Sequence, residues 1–151
     1  MTMIPEPERE KIREIFERDL VNDVSLDLYT QKPSPLFVPG QTQCQSCPET
    51  QQLVEEVADL SDKLHLAVHD VKAEPATATE AGIEQVPSLL LQGTNAGKLR
   101  FLGPPAGYEF STLISDVVDV SAGRIELSEE TQNALAAIAE PVHIQVFVTP
   151  T

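Results

Sequence analysis

The chain has few of the features that mark a protein bound to nucleic acid or to a membrane. Its 151 residues include 10 Lys and Arg against 24 Asp and Glu, a formal net charge of −14 at pH 7. Nucleic acid and anionic membrane surfaces are bound by clustered cations, so this balance argues against both. No apolar run approaches the roughly 20 residues that span a bilayer. We therefore expect neither nucleic acid nor a membrane as a partner.

The sequence also lacks tryptophan and a leader-like segment. Aromatic residues make up 5% of the chain, so Leu, Val and Ile must fill the core. Residues 1–10 contain no apolar stretch of the signal-peptide type, and we expect a cytoplasmic protein. With 41% hydrophobic residues, a chain of this length is enough for one globular domain of ordinary size.

Only two cysteines are present, in Cys44-Gln45-Ser46-Cys47. A Cys-x-x-Cys pair closes a small disulfide or supplies half of a zinc site. An apolar strand is predicted before the pair, and a helix from Pro48 to about Lys63 follows it. A thiol at a helix start meets unpaired N–H groups and the positive end of the helix dipole, which favour the thiolate. The pair therefore predicts redox chemistry, and a cytoplasmic location favours an exchanged disulfide over a structural one.

Zinc binding is the alternative chemistry for these cysteines. With His65 and His69 they form a C-x2-C-x17-H-x3-H pattern of Cys2His2 composition. The histidines, however, fall in an alternating strand pattern, in which residues four apart lie roughly 13 Å apart. Histidines at that distance cannot share one metal ion. We therefore expect no metal site, and we assign both histidines to a polar face of a sheet.

Hydrophobic periodicity predicts an α/β chain. Apolar residues at three- and four-residue spacing indicate helices, and alternating ones indicate strands. The predicted helices are Pro5–Leu20, Glu49–Leu60 and Pro105–Val120, and Glu74–Ala81 is predicted to be a short helix or a turn. The predicted strands are Val24–Thr30, Leu64–Val71, Ser88–Gln92 and Lys98–Leu102. The crossover helix makes the first two strands parallel, and the turn Gly93–Gly97 makes the last two a hairpin. The proline-rich segment Gln31–Gln43 is predicted to be a loop.

This order, with Cys-x-x-Cys opening the helix after the first strand, resembles the thioredoxin fold. Gly82–Ser88 supports the resemblance, because thioredoxin-like proteins carry at that place a cis-proline that faces the disulfide. With Phe101–Phe110 and the leading helix, the chain is most similar to the amino-terminal unit of the protein disulfide oxidoreductases, glutaredoxin-like proteins with two thioredoxin folds in tandem. The resemblance implies a three-layer α/β sandwich with a mixed central sheet, and a cis Val86-Pro87 bond near Cys44.

The same resemblance implies a thiol–disulfide oxidoreductase. Cys44, the earlier cysteine and the one expected to be exposed, is expected to attack a substrate disulfide, and Cys47, expected to be more buried, to resolve the mixed disulfide. Val86 and Pro87 are expected to bind an extended substrate segment. The expected partners are protein disulfides or a redox partner protein, with no cofactor. The alternative is a non-enzymatic thioredoxin-like binding module whose disulfide is structural or vestigial.

Asp27 interrupts the first strand, opposite in phase to Leu26 and Leu28. Thioredoxins carry a buried acid beneath the disulfide that assists proton transfer to the second cysteine, and the resemblance makes Asp27 a candidate for this proton relay. A position on the exposed face of the sheet is the other interpretation. The long loop before Cys44 prevents an alignment by spacing, so both interpretations stay open here.

The end of the chain repeats its beginning. The alternation of Pro141–Thr149 matches that of Asp23–Thr30, and each follows a helix with a charged start, the later one near Ser128-Glu129-Glu130. We therefore divide the chain into a thioredoxin-like unit, 1–122, and the helix and strand of an incomplete second unit, 123–151. In the tandem family a second Cys-x-x-Cys would follow here, so we expect a truncated or a naturally shortened relative. The uncovered apolar strand 142–148 predicts a homodimer.

Overall fold

A computed structural model describes residues 2–34, 43–94 and 97–148. The elements follow the predicted order. They are α1 (Glu6–Asp19), β1 (Val24–Thr30), α2 (Cys47–Ala58), β2 (Leu64–Asp70), α3 (Pro75–Glu80), β3 (Ser88–Gln92), β4 (Leu99–Leu102), α4 (Tyr108–Ala122) and α5 (Glu129–Ala136). The bounds of β1 and β3 are those predicted from the sequence. None of the described helices is long and apolar enough to cross a membrane.

The four strands form one mixed sheet in the order β2-β1-β3-β4. β1 pairs in parallel with β2 and antiparallel with β3, and β4 pairs antiparallel with β3. These pairings confirm the crossover and the hairpin, although Asn95 and Ala96 of the hairpin turn lie outside the described residues. The register places Tyr29 of β1 between His69 of β2 and Ser88 of β3.

Helices cover both faces of the sheet. On one side, which we call the α2 face, α1, α2 and α4 enclose the main core together with Val24, Leu26 and Leu28 of β1. On the other side, the α3 face, Tyr29 and Leu90 pack with Ala78 of α3 in a smaller cluster. Successive strand residues point to opposite faces, so one strand serves both cores. The predicted three-layer thioredoxin-like sandwich is therefore confirmed.

Aliphatic side chains fill the main core, as the lack of tryptophan requires. Among the residues less than 2% exposed, Phe16 is the largest, and the others in this core are Leu or Val. Burying one such side chain is worth roughly 1.5–3 kcal/mol. The α2 face therefore supplies most of the apolar stabilisation and holds α2 firmly in place.

The carboxylate of Glu56 on α2 binds the N-terminal segment. It accepts hydrogen bonds from the backbone N–H groups of Met3 at 2.8 Å and Ile4 at 3.0 Å. The Arg9 guanidinium and the Gln52 amide also donate to it, at 3.3 and 3.0 Å. Burial raises the pKa of Glu56, but these donors outweigh burial and hold the pKa below its ordinary value. The segment before α1 is thus attached to α2 by a charged group.

We expect Glu56→Gln to lower the free energy of unfolding by about 1–3 kcal/mol at neutral pH, because a neutral amide leaves several donors poorly paired. The contribution of the carboxylate should be complete above the ordinary Glu pKa and lost as the pH falls through the lowered pKa of the folded protein. Urea unfolding at a series of pH values measures this. Glu55→Gln, an exposed neighbour, is the control and should cost less than about 0.5 kcal/mol. Equal losses in the two variants would contradict the prediction.

The predicted helix near the C-terminus is present as α5. Its N-cap is Ser128, whose hydroxyl accepts a hydrogen bond from the Thr131 N–H at 3.2 Å. This agrees with the capping signal in the sequence. α4 ends at Ala122, and the division of the chain into units 1–122 and 123–151 stays a prediction.

The predicted strand 142–148 is wrong. Residues 141–148 form no strand, and the sheet of the described chain ends at β2 and β4. An alternating sequence becomes a strand only where a neighbouring strand pairs with its N–H and C=O groups. The segment has no such neighbour here, and its side chains are exposed, from 63% for Val142 to 89% for Phe147.

Candidate active site

A disulfide joins Cys44 and Cys47, whose Cα atoms lie 5.4 Å apart. Cys47 is the first residue of α2, two residues before the start at Glu49 predicted from periodicity, and Cys44 lies in the turn just before the helix. The sulfur of Cys44 is bonded to that of the first helical residue, so it lies at the N-terminal end of α2. Unpaired N–H groups and the helix dipole at that end stabilise a negative charge on sulfur once the bond is reduced.

The residues around the pair explain why the helix begins here. Pro48 occupies the first turn, where the N–H that proline lacks is not needed. Thr50 closes this turn, because its N–H and its hydroxyl both donate to the Ser46 carbonyl, at 2.9 and 2.8 Å. Thr50 is only 1% exposed, so the turn is fixed from inside the protein. The disulfide thus lies on a short connection that leads directly into α2.

The two sulfurs differ in exposure. Cys47 is fully buried, whereas Cys44 is only half-buried. A substrate disulfide could therefore approach Cys44 but not Cys47. This asymmetry supports Cys44 as the attacking residue and Cys47 as the resolving residue, although these roles stay a prediction.

The loop before β3, residues 83–87, faces the disulfide; we call it the proline loop. Its Val86-Pro87 bond is cis, in agreement with the resemblance. The Val86 carbonyl oxygen lies 3.7 Å from Cys44 Sγ. A disulfide sulfur carries no hydrogen, so this is a packing contact, and in the reduced protein the oxygen is an acceptor for the Cys44 thiol. The Pro87 carbonyl accepts from the Gly103 N–H at 2.9 Å, which attaches the loop to the end of β4.

Ser46 is a candidate that the sequence analysis did not assign. Its hydroxyl lies 3.9 Å from Cys44 Sγ, at the outer limit for a hydrogen bond to sulfur. It is a neutral donor, so the helix end remains the main stabiliser of a thiolate. The sequence signal that could have identified Ser46 as a site residue is its position between the two cysteines. The direction of its hydroxyl toward the sulfur depends on the geometry of the turn.

Asp27 lies on the α3 face. Leu26 and Leu28, on either side of it, pack with α2 in the main core, so its carboxylate points away from α2. It accepts a hydrogen bond from the Ser25 hydroxyl at 2.9 Å and lies 3.1 Å from His69 Nε2. Its side chain is 23% exposed. This exposed fraction is intermediate between that of a buried proton relay and that of a residue on an exposed face of the sheet. The proton relay stays a prediction, and these contacts do not support it.

The two histidines lie on the α3 face, as the alternation predicts, but in different surroundings. The side chain of His65 is 60% exposed and lies 3.3 Å from Asp23. That of His69 is only 20% exposed and lies between Asp27 and Glu74. No group of three or more His, Cys, Asp or Glu in the described part of the chain has the arrangement of a metal site. The pairing of His69 with two carboxylates was missed from the sequence, because it joins three separate segments.

The loop predicted over Gln31–Gln43 lies largely outside the described residues, which omit 35–42. At its ends, the Gln43 side-chain amide donates to the Ser34 carbonyl at 3.2 Å. This contact brings the two ends of the segment together next to Cys44.

A family model described as a thioredoxin domain matches residues 37–115. The match includes the cysteine pair, the proline loop and the first half of α4, so it covers the disulfide and the loop that faces it. This chain belongs to the thioredoxin-domain family. A search of curated proteins found no match.

Solved structures support the same fold. The alkylhydroperoxide reductase AhpF of Enterococcus faecalis is 26% identical, with a TM-score of 0.71 over 89% of this chain and 60% of that one. Its N-terminal domain alone, in a second structure, is 25% identical with a TM-score of 0.71, over 91% and 62%. A protein disulfide oxidoreductase of Aeropyrum pernix, 23% identical, has a TM-score of 0.74 over 91% and 56% and shows the fold alone. The chain thus spans less than two thirds of each of these structures.

The difference in exposure predicts a difference in reactivity. In the reduced protein at pH 7, iodoacetamide should alkylate Cys44 at least about tenfold faster than Cys47, because Cys44 is more accessible and its sulfur at the helix end forms the thiolate more readily. Peptide mass mapping after timed quenching measures both rates. In urea the two rates should converge, which serves as the control. Equal rates in the folded protein would count against the assignment.

Proposed function

We propose that this chain is a thiol–disulfide oxidoreductase that exchanges its cysteine pair with protein disulfides. The observation that carries the proposal is the Cys44–Cys47 disulfide at the N-terminal end of α2 in a thioredoxin-family domain, with one sulfur accessible and the other buried. A purely structural disulfide has no need of an accessible sulfur at a helix N-terminus, where its reduced form gains most in reactivity.

The proposed exchange has two steps. The Cys44 thiolate attacks one sulfur of the substrate disulfide, so that a mixed disulfide forms and the other substrate sulfur leaves as a thiolate that takes up a proton. Cys47 then loses its proton and attacks Cys44 Sγ, which releases the second substrate sulfur as a thiolate. The substrate gains two electrons and the protein ends as the disulfide. An external dithiol must reduce it again, and the same steps run in reverse oxidise a substrate dithiol.

The proline loop is proposed to bind the substrate segment. The Val86 carbonyl lies beside Cys44, so an extended peptide whose sulfur reaches Cys44 also reaches the backbone of Val86. Strand-like pairing with that backbone gives affinity without a demand for particular side chains. Pro87 offers no N–H of its own, which limits pairing to Val86. Such a site would accept disulfides in different sequence contexts.

A redox partner protein is the proposed source or recipient of the electrons. The likeness to the alkylhydroperoxide reductase AhpF favours a partner in a chain of electron transfer that ends at a peroxidase. With a net charge of −14, this chain attracts a partner whose docking surface is basic. Association should then slow as the salt concentration rises.

Trapping variants test the proposed reaction. With Cys47→Ser, mixed disulfides with insulin, used as the probe substrate, should accumulate on non-reducing gels, because the resolving thiol is missing. With Cys44→Ser, catalysis of insulin reduction by dithiothreitol should vanish, and no mixed disulfide should form. Urea unfolding checks that both variants remain folded. A wild-type protein that fails to accelerate insulin reduction would refute the proposal and leave the non-enzymatic binding module.

A homodimer through residues 142–148 is a further proposal about partners. The apolar row of the predicted strand, Val142, Ile144, Val146 and Val148, is 63–83% exposed. Two copies of the segment could pair with each other across a two-fold axis, which would supply the backbone partners that one chain lacks.

Light scattering tests this association. The intact chain should have the mass of a dimer, and Val146→Lys in the apolar row should yield a monomer. Gln145→Lys, on the other side of the segment, is the matched control and should leave the dimer unchanged. A monomeric wild-type chain at high concentration would refute the dimer without affecting the proposed redox function.

A further inference from the structure

His69 is held by two carboxylates. Its Nε2 lies 3.1 Å from Asp27 Oδ1 on β1, and its Nδ1 lies 3.3 Å from Glu74 Oε2, just before α3. A neutral imidazole has a single N–H and can donate to only one carboxylate, whereas the protonated ring donates to both. The pair of contacts therefore fits the protonated ring. Through it, the end of β2 is attached both to the centre of the sheet and to the start of α3.

His69 is connected to the active site through Tyr29. The two rings stack with centroids 4.8 Å apart and an interplanar angle of 23°. Tyr29 is buried at 5% exposure and belongs to the same apolar cluster as Val86 of the proline loop. In the register, Tyr29 also pairs directly with Ser88, the residue after Pro87. A short series of packed groups thus leads from the two carboxylates to the carbonyl beside Cys44.

A positively charged side chain on this side of the sheet is bound at the other end of α3 from Glu74. Arg100 of β4 donates to the carbonyls of Ala81 and Gly82 at the end of α3, at 2.8 and 3.0 Å. Burial, and then Asp27 and Glu74, raise the pKa of Tyr29 above its ordinary value and outweigh Arg100, whose positive charge lowers it, so that Tyr29 stays neutral. Burial lowers the pKa of His69, but the hydrogen bonds to the two carboxylates outweigh it, and the pKa is raised above its ordinary value.

We propose that His69 is a positioning residue for the exchange reaction: by bridging Asp27 and Glu74 it fixes Tyr29 against the proline loop that faces Cys44. The inference rests on the proposed function and adds a pH range in which Tyr29 and the proline loop are held most firmly. The bridge is complete at a pH below the folded-state pKa of His69. As the pH rises through that pKa, the ring loses one donor, one of the two attachments is released, and Tyr29 and the loop are held less firmly.

His69→Gln tests the proposal when the ratio of the wild-type rate to the variant rate is followed against pH. This ratio cancels the titration of the Cys44 thiol, which is common to both proteins. We expect wild-type kcat/KM for insulin reduction to exceed that of the variant about fivefold at low pH, mostly through KM, and the two to converge above the pKa of His69. His65→Gln, which changes an exposed histidine on the same strand and face, is the matched control and should give a ratio near one throughout.

Glu74→Gln separates positioning from simple packing. It keeps the size of the side chain and removes one of the two charges that favour the protonated ring, so the midpoint of the pH profile should move to lower pH. If His69 only filled space, Glu74→Gln would leave the midpoint of the pH profile unchanged, whatever its effect on the activity itself. An unshifted midpoint in Glu74→Gln, or a His69→Gln ratio independent of pH, would overturn the inference.

A measurement without catalysis keeps the inference distinct from the proposed function. In a nuclear magnetic resonance titration of the wild-type protein, the amide signals of Val86 and Ser88 should shift with the same midpoint as the His69 ring, and these shifts should be absent from His69→Gln. If insulin is not reduced but the amides titrate with His69, the proposed function fails and the structural coupling stands. If insulin is reduced but the amides do not titrate, the positioning role fails and the proposed function stands.

Discussion

The rest of the structure depends on the double pairing of β1. This strand has β2 on one side and β3 on the other, so its backbone is fully committed, and its side chains can only alternate between the two faces of the sheet. Leu26 and Leu28 enter the core beneath α2, and Asp27 and Tyr29 enter the layer beneath α3. The helix that carries the disulfide and the loop that faces it are therefore positioned from opposite sides of one strand.

The two layers therefore position different parts of the site. The α2 face fixes α2, whose first residue, Cys47, has zero exposure and whose N-terminal end stabilises a thiolate. The α3 face holds the proline loop through Tyr29, Val86 and the hydrogen bond from Gly103 to Pro87. Cys44 lies where the two layers meet, with its sulfur bonded to one and in contact with the other. Groups on the α3 face therefore pack with the loop beside the accessible sulfur without being part of the main core.

The sequence predicted the elements whose signals are local. Alternation with buried leucines defined β1, and the cysteine spacing before an amphipathic stretch located α2 to within two residues. The strand at 142–148 could not be judged from its alternation, because a strand also needs a partner that the pattern does not contain. The contacts of His69 with Asp27 and Glu74 could not be predicted from the sequence either, since the register of two parallel strands decides which side chains come together. The face of His69 was predictable, but its neighbours were not.

The buried carboxylate of Glu56 extends the functional domain to its first few residues. Met3 and Ile4 contribute backbone N–H groups to it, so these residues are part of the setting of α2 although they precede the first helix. Proteolytic trimming past Ile4 would remove both donors and expose an anion on the helix that carries the cysteines. A domain boundary drawn at the first regular element, Glu6, would therefore be drawn too late, and an N-terminal fusion must leave this short segment free to reach α2.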